Sequence, residues 1–349
     1  MYEADRSISV NRADRQERLR RWYCAWSGAD VTALEPVAGD ASFRRYYRPR
    51  GVVPTLVLCD SPPDKEKNPE FLAIARGLEK AGVRVPRVLQ ADLELGFFAL
   101  EDLGDQLLLP LLSRDSADTR YREALGMLCD LADAKRADFS VPDYDEAQLR
   151  TELGLFPDWF CSGLLGIELD EVFARRWQAL EALLCARALA QPQVLVHRDF
   201  HARNLMVLAD GSLATIDFQD AVWGPITYDP VSLLRDCYLR WPDAQVRDWA
   251  LEHHKRLQAR GIAMPPAAHY LTDFDWMGLQ RHIKVLGIFS RLYLRDRKAA
   301  YLGDLSRVIG YVRDVLALYG AEPVLADFAG WFEGAVMPRA RLQDWYRDA

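Results

Sequence analysis

Between Val194 and Asp220 the chain reads VLVHRDFHARNLMVLADGSLATIDFQD, and this segment constrains the fold more than any other. An apolar run stops at His197-Arg198-Asp199, Asn204 comes five residues after that Asp, and a later apolar run ends in Asp217, thirteen residues beyond Asn204. LMVL and LATID flank Ala-Asp-Gly-Ser. Asp-Gly tolerates the positive φ of a tight hairpin, so the two flanking runs read as paired strands. The pattern strand–loop–strand–turn–strand therefore puts two carboxylates and a carboxamide at strand ends.

The rest of the chain divides around this hairpin. Residues 13–27 read as an amphipathic helix. From Thr32 to Ala99 the signals are short and strand-like: ASFRRYYRPR alternates polar and aromatic residues, TLVLCD is a compact apolar run, and VPRVLQAD and GFFALEDL are two further strands. One helix, EFLAIARGLEKAG, interrupts them and ends at Gly82, as helices often do. After Gly104, DTRYREALGMLCDLADAK and FARRWQALEALLCARALA carry apolar residues at three- and four-residue spacing, and further helices are expected at about 230–260, 266–296 and 303–319. The fold class that follows is α+β in two lobes: a β-rich lobe over 1–103, mainly an antiparallel sheet plus helix, and a helical lobe over 104–349 carrying the hairpin. A cleft between the lobes is the natural ligand site.

Bulk properties narrow the function. A formal net charge of −7 argues against a general nucleic-acid binder, and an anionic nucleotide needs local cations or metal ions to compensate. No uncharged apolar run reaches the ~20 residues needed to span a bilayer, and the N-terminus has no apolar signal core. The six cysteines, at 24, 59, 129, 161, 185 and 237, include no C-x-x-C pair; they fit reduced, mostly buried thiols in a cytoplasmic protein, and neither Cys nor His spacing matches a zinc site. Nothing points to an obligate protein partner.

His197, Asp199 and Asn204 match the kinase catalytic-loop spacing H-R-D-x-x-x-x-N, the Arg included. Phosphoryl transfer asks few things of a protein. A carboxylate must orient the attacking hydroxyl and accept its proton, which suits Asp199. Oxygen ligands must hold Mg²⁺ against the phosphates, which suits Asn204 and Asp217 once the hairpin returns one beside the other. Each residue alone has an ordinary structural use, in a turn, a backbone hydrogen bond or a strand end; the joint spacing carries the functional reading.

The pieces VHRDFHARNLM, IDFQDAVWGPITYDPVSLLRD and GDASFRRYYR resemble the aminoglycoside phosphotransferase/choline kinase family, over roughly residues 30–320. Together they look most like its bacterial cell-wall sugar kinases, which phosphorylate the anomeric hydroxyl of N-acetylmuramate and N-acetylglucosamine. The resemblance implies a protein-kinase-like two-lobed fold, ATP and Mg²⁺ as cofactors, an amino-sugar substrate and a part in peptidoglycan recycling. It makes Asp199 the catalytic base, and Asn204 and Asp217 the metal ligands. It makes Gly39 to Arg45, with Ser42 inside, the nucleotide-covering turn, and Glu101 to Leu103 the hinge whose backbone binds adenine. Tyr228 and Asp229 would hold the loop after the metal site.

There are departures. The strand that usually carries a phosphate-pairing lysine is TLVLCD, which has none, and GDASFRR lacks the full G-x-G-x-x-G pattern. Arg44 and Arg45 are the replacement cations expected, ahead of Lys65 and Lys67, whose loop is the kind usually solvated. Glu70 either orients such a cation or is an exposed first-turn Glu favoured by the helix dipole. For the acceptor, Trp223, Tyr228 or Trp276 could wall a sugar ring, and Arg281 or Lys284 could meet a lactyl carboxylate; the bland alternative for the cations is a polar helix face. His253 and His254 are expected at the surface, and His201 in a structural hydrogen bond. Competing readings are an aminoglycoside or other small-alcohol kinase, a catalytically dead nucleotide-binding regulator, and a protein kinase. FQDAVWGP after Asp217 and the absence of A-P-E speak against the last.

Overall fold

The computed structural model describes residues 2–37 and 43–347, with side chains from Asp14 onward. The chain opens with helix α1 (Tyr2–Ser27) and continues through β1 (Leu34–Pro36), β2 (Arg45–Pro49), β3 (Leu56–Asp60), α2 (Asn68–Lys80), β4 (Val88–Asp92) and β5 (Phe97–Glu101). Helices α3 (Ala117–Ala132), α4 (Glu146–Leu153) and α5 (Glu171–Leu189) follow, and then strands β6 (Gln193–Val196), β7 (Leu205–Val207), β8 (Leu213–Thr215) and β9 (Val222–Pro225). The remainder is helical: α6 (Tyr228–Leu234), α7 (Asp243–Ala259), α8 (Ala267–Leu294), α9 (Leu302–Leu318), α10 (Pro323–Trp331) and α11 (Met337–Ala340). The α+β class expected from the sequence is the one observed. No described helix is long and apolar enough to cross a membrane.

Contacts divide the chain into two units, one of Met1–Leu108, Lys135–Val141 and Asn204–Gln219, the other of Leu109–Ala134, Pro142–Arg203 and Asp220–Ala349. In the first, five antiparallel strands run in the order β1-β2-β3-β5-β4, with Cys59 opposite Phe98 and Asp60 opposite Phe97. Successive strand residues face opposite sides. Phe97 accordingly packs with Leu19 and Tyr23 of α1, while Phe98 meets Phe71 of α2 edge-on at 5.4 Å. Helices thus cover the sheet on both faces, which is why FFAL is apolar without alternation.

The β7–β8 hairpin belongs to this unit, whereas a boundary at 103/104 would leave it with the helices. Its backbone explains the grouping: Leu108 N donates to Leu205 O at 2.8 Å, Val207 N to Gln106 O at 2.8 Å, and Thr215 N to Arg84 O at 2.9 Å. The turn forms as its residues demand. Gly211 takes φ +87°, a conformation that costs a side chain but not glycine, and Asp210 Oδ1 accepts from Ser212 N and Oγ at 2.9 and 2.6 Å.

The second unit is built round α8, which buries 18 of its 28 residues. A Cβ at Gly287 would lie 2.4 Å from the carbonyl carbon of Leu155, so glycine lets the chain at 155 cross α8 closely. Strand β6 pairs antiparallel with β9, Leu195 opposite Trp223. The single helix expected at 230–260 is two, α6 and α7, because Pro242 has no N–H to continue a helix and restricts Trp241 before it. His253 and His254 are buried, not at the surface. Their ring nitrogens meet Tyr270 Oη at 2.8 Å and Pro265 O at 2.7 Å, partners that a count of charges along α7 does not reveal. All six cysteines are unpaired and five are buried.

Candidate active site

Strand β6 leads into the His197-Arg198-Asp199 loop. Arg198 takes the left-handed φ of +76°, unusual for a side chain with a Cβ, so something must hold it. Asp229, at the start of α6, does so: its Oδ2 accepts from His197 N at 2.6 Å and its Oδ1 from Arg198 N at 3.0 Å. Asp229, expected to hold the loop after the candidate metal site, thus holds the His197-Arg198-Asp199 loop. Burial pushes the Asp229 carboxyl up to about 7 against the pull of those two amides, and the charge of Asp199 adds to the rise. Beyond Asp199, Ala202 N donates to Asp236 Oδ2 at 3.1 Å. Asp199 N donates to His197 Nδ1 at 3.3 Å, which makes that ring nitrogen the acceptor.

Asp199 itself is half-buried. Desolvation alone would raise its pKa, but the electrostatic pull of His201, Lys284, Arg281 and His197, of which Lys284 and Arg281 are cations at neutral pH, outweighs it, and the carboxyl stays below the ordinary aspartate value. It is ionised at neutral pH and can accept a hydrogen bond from a hydroxyl, the geometry that phosphoryl transfer asks of its positioning carboxylate.

In the sheet unit, Asn204 precedes β7 and Asp217 follows β8. Ile216 N donates to Asn204 O at 3.0 Å, closing the hairpin, and the side chains meet with Asn204 Nδ2 3.5 Å from Asp217 Oδ2. Asp217 has φ +65°, and its Oδ1 accepts from Gln219 Nε2 at 2.7 Å. The two side chains offer hard oxygen donors, the carboxamide oxygen being available by rotation about its terminal torsion. That donor set fits Mg²⁺.

Of the expected nucleotide residues, Gly39 and Ser42 lie outside the described residues. Arg44 is buried: its Nε donates to Ser61 Oγ at 3.2 Å, Nη2 lies 3.3 Å from Glu66 Oε2, and the guanidinium sits 4.9 Å from the centre of the Phe71 ring. The carboxylate beside this arginine is therefore Glu66, and Glu70 is exposed. Arg45 Nη1 is 3.9 Å from Asp60 Oδ2, and Lys65 and Lys67 are exposed. Phe71 also stacks on Phe218 at 5.2 Å, which ties α2 to the residue after Asp217. Arg84 and Arg87 hold the Glu101 carboxyl down to about 2, and its amide donates to Arg87 O at 2.9 Å; Leu103 is half-buried.

A family model described as "Phosphotransferase enzyme family" matches residues 33–268, two thirds of the chain. The chain belongs to that family. It is an enzyme, a small-molecule kinase. Proteins named N-acetylmuramate/N-acetylglucosamine kinase are similar to this phosphotransferase: one from Pseudomonas aeruginosa at 43% identity over 86% of this chain and 88% of its own, and one from Neisseria meningitidis at 40% over 87% and 92%. Among solved structures, the choline kinase LicA from Streptococcus pneumoniae superposes with TM-score 0.60 at 12% identity, over 85% of this chain and 98% of its own. The ADP-bound aminoglycoside phosphotransferase APH(2'')-Ib gives 0.57 at 14%, over 85% and 98%. At such identities the structural likeness establishes the fold, which is protein-kinase-like.

The acceptor candidates of the phosphotransferase all lie in its helical unit, and all are buried. Trp223 stands in β9, and Trp276 is held between Arg187, 4.7 Å from its ring centre, and the edge of Tyr319. Arg281 Nη1 meets Cys237 Sγ at 3.3 Å. Lys284 Nζ donates to Tyr228 Oη at 2.9 Å and lies 2.9 Å from Glu152 Oε2, so neither cation is on a polar outer face. Tyr228 and Lys284 meet each other, while Trp276 packs with Arg187 and Tyr319. His201 packs edge-on against Tyr238 at 5.4 Å, and burial holds its pKa below the ordinary value.

Glu152, Glu66 and Asp236 were missed in the sequence. Glu152 had left a signal: with Leu149, Leu153 and Phe156 it shares three- and four-residue spacing, so a carboxylate stands on an apolar helix face.

Proposed function

We propose that the protein transfers the γ-phosphoryl group of ATP to the anomeric C1 hydroxyl of N-acetylmuramate or N-acetylglucosamine, giving the sugar 1-phosphate, in the cytoplasm and in the service of peptidoglycan recycling. The observation that carries this reading is the high identity, over most of both chains, to proteins bearing the N-acetylmuramate/N-acetylglucosamine kinase name. Asp199 orients the sugar hydroxyl and accepts its proton. An anomeric hydroxyl is more acidic than an ordinary alcohol, so a carboxylate of low basicity suffices. Asn204 and Asp217 hold Mg²⁺, which when bound neutralises charge on the nucleotide phosphates. Arg44, steadied by Glu66, takes the place of the missing strand lysine, Gly39 to Arg45 cover the phosphates, and the backbone at Glu101 to Leu103 meets adenine. Only residues 200–203 separate Asp199 from Asn204 in the chain, which limits how far the base and the metal ligand can part.

The test compares each free sugar with its 1-O-methyl glycoside, which blocks C1 and leaves every other hydroxyl available. Phosphorylation of the free sugar alone is expected. Equal phosphorylation of the glycoside would return the enzyme to a general alcohol kinase.

A further inference from the structure

A buried cluster in the helical unit holds a carboxylate for which the reaction gives no direct use. Glu152, on α4, is 8% exposed, and its two oxygens serve three donors. Oε1 accepts from Arg198 Nη2, and Oε2 accepts from Tyr144 Oη and, at 2.9 Å, from Lys284 Nζ. Lys284 reaches on to Tyr228 Oη at 2.9 Å, and the Arg198 guanidinium lies 5.6 Å from the centre of the Tyr144 ring. Desolvating a carboxylate costs several kcal/mol, and packing alone would be met by an apolar side chain such as Leu149 or Leu153 on the same helix.

We propose that Glu152 is a positioning residue for the catalytic loop, holding Arg198 by its side chain while Asp229 holds it by its backbone, and so aiming Asp199. Arg198 immediately precedes Asp199 and has the left-handed backbone, φ +76°. Two anchors on one strained residue leave the next carboxylate little freedom. Glu152 also completes a charge balance. The positive charges of Arg198 and Lys284 are felt by two carboxylates, Glu152 and Asp199. Glu152 offsets one cation, which leaves the other for Asp199. Arg281 on α8, with His197 and His201 from the loop itself, also faces Asp199.

This inference rests on Asp199 being the base, and the experiment separates the two. Steady-state kinetics with ATP and N-acetylglucosamine are measured for the full chain and for Asp199→Asn, Glu152→Gln and Glu152→Gln/Lys284→Met. Asp199→Asn near wild type would overturn the base assignment itself. With Asp199→Asn inactive, Glu152→Gln should lose at least about 30-fold in kcat with the ATP KM within threefold, because misaiming by an ångström costs on the order of 100-fold. The double variant restores the charge count, so its melting temperature should return towards wild type while kcat stays low. A Glu152→Gln enzyme within threefold of wild-type kcat would overturn the proposal. So would recovery of kcat together with stability in the double variant, which would make Glu152 a charge-balancing residue only. Should Glu152→Gln not fold, Lys284→Met is measured beside the double variant, and a double variant with the same kcat as Lys284→Met would overturn the proposal.

Discussion

Asp229→Ala is the sharpest test of how the His197-Arg198-Asp199 loop is built. The change removes the acceptor of two backbone amides, His197 N at 2.6 Å and Arg198 N at 3.0 Å. Each stranded donor costs roughly 1–3 kcal/mol where water cannot reach it, and Arg198 is only half-buried, so the total is about 2–5 kcal/mol. With an unfolding entropy of ~0.7 kcal/mol/K for a chain this long, the melting temperature should fall by about 3–7 °C. The loop should also relax from its left-handed turn at Arg198, so kcat should fall at least tenfold while the ATP KM stays close to wild type. Differential scanning fluorimetry and steady-state kinetics read both. A melting temperature within 1 °C of wild type and unchanged kcat would refute the clamp. A pH series adds an independent arm. Because the folded pKa of Asp229 is raised to about 7, the native state binds the extra proton. Its contribution to stability is full below pH ~4 and is lost as pH rises towards 7, on the order of 3–4 kcal/mol. Asp229→Asn cannot titrate. The stability of wild type relative to Asp229→Asn should therefore decline between those pH values; a flat difference would show that burial does not raise this carboxyl.

Asp199→Asn should remove most turnover, about 100- to 10,000-fold, while nucleotide binding followed by calorimetry persists; wild-type turnover would sink the assignment. Asp217→Ala should weaken Mg-ATP binding and activity together, and a magnesium titration indistinguishable from wild type would mean that the metal ligands are elsewhere. Arg44→Ala should raise the ATP KM about tenfold or more, and Arg45→Ala less, since Arg44 has the Glu66 and Ser61 partners that hold a cation in one place. If both variants keep the wild-type KM, charge compensation falls to Lys65, Lys67 or a second metal ion.

The sequence by itself determined the parts whose physics is local. Asp-Gly dictates the turn at 210–211 through backbone freedom at Gly211, and the apolar runs on either side dictate the strands, so Asn204 and Asp217 had to come back to one place. Apolar spacing likewise announced α2, α8 and α9, and GFFALEDL read as the strand that became β5. What only the tertiary structure decided are the pairings between distant segments. Nothing in a helix-dipole argument could prefer Glu66 over Glu70, because the choice turns on where Arg44 lies beside α2. Asp229 was legible as a structural residue, but its target, the backbone at His197 and Arg198, lies more than thirty positions away in the chain. Charged and imidazole side chains on α7 and α8 look solvated when counted along a helix. His253, His254, Arg281 and Lys284 are buried because Tyr270, Pro265, Cys237, Tyr228 and Glu152 meet their polar atoms there. A buried polar group is stable only with its partner in place, and the partner is a property of the packed chain, not of the neighbouring residues.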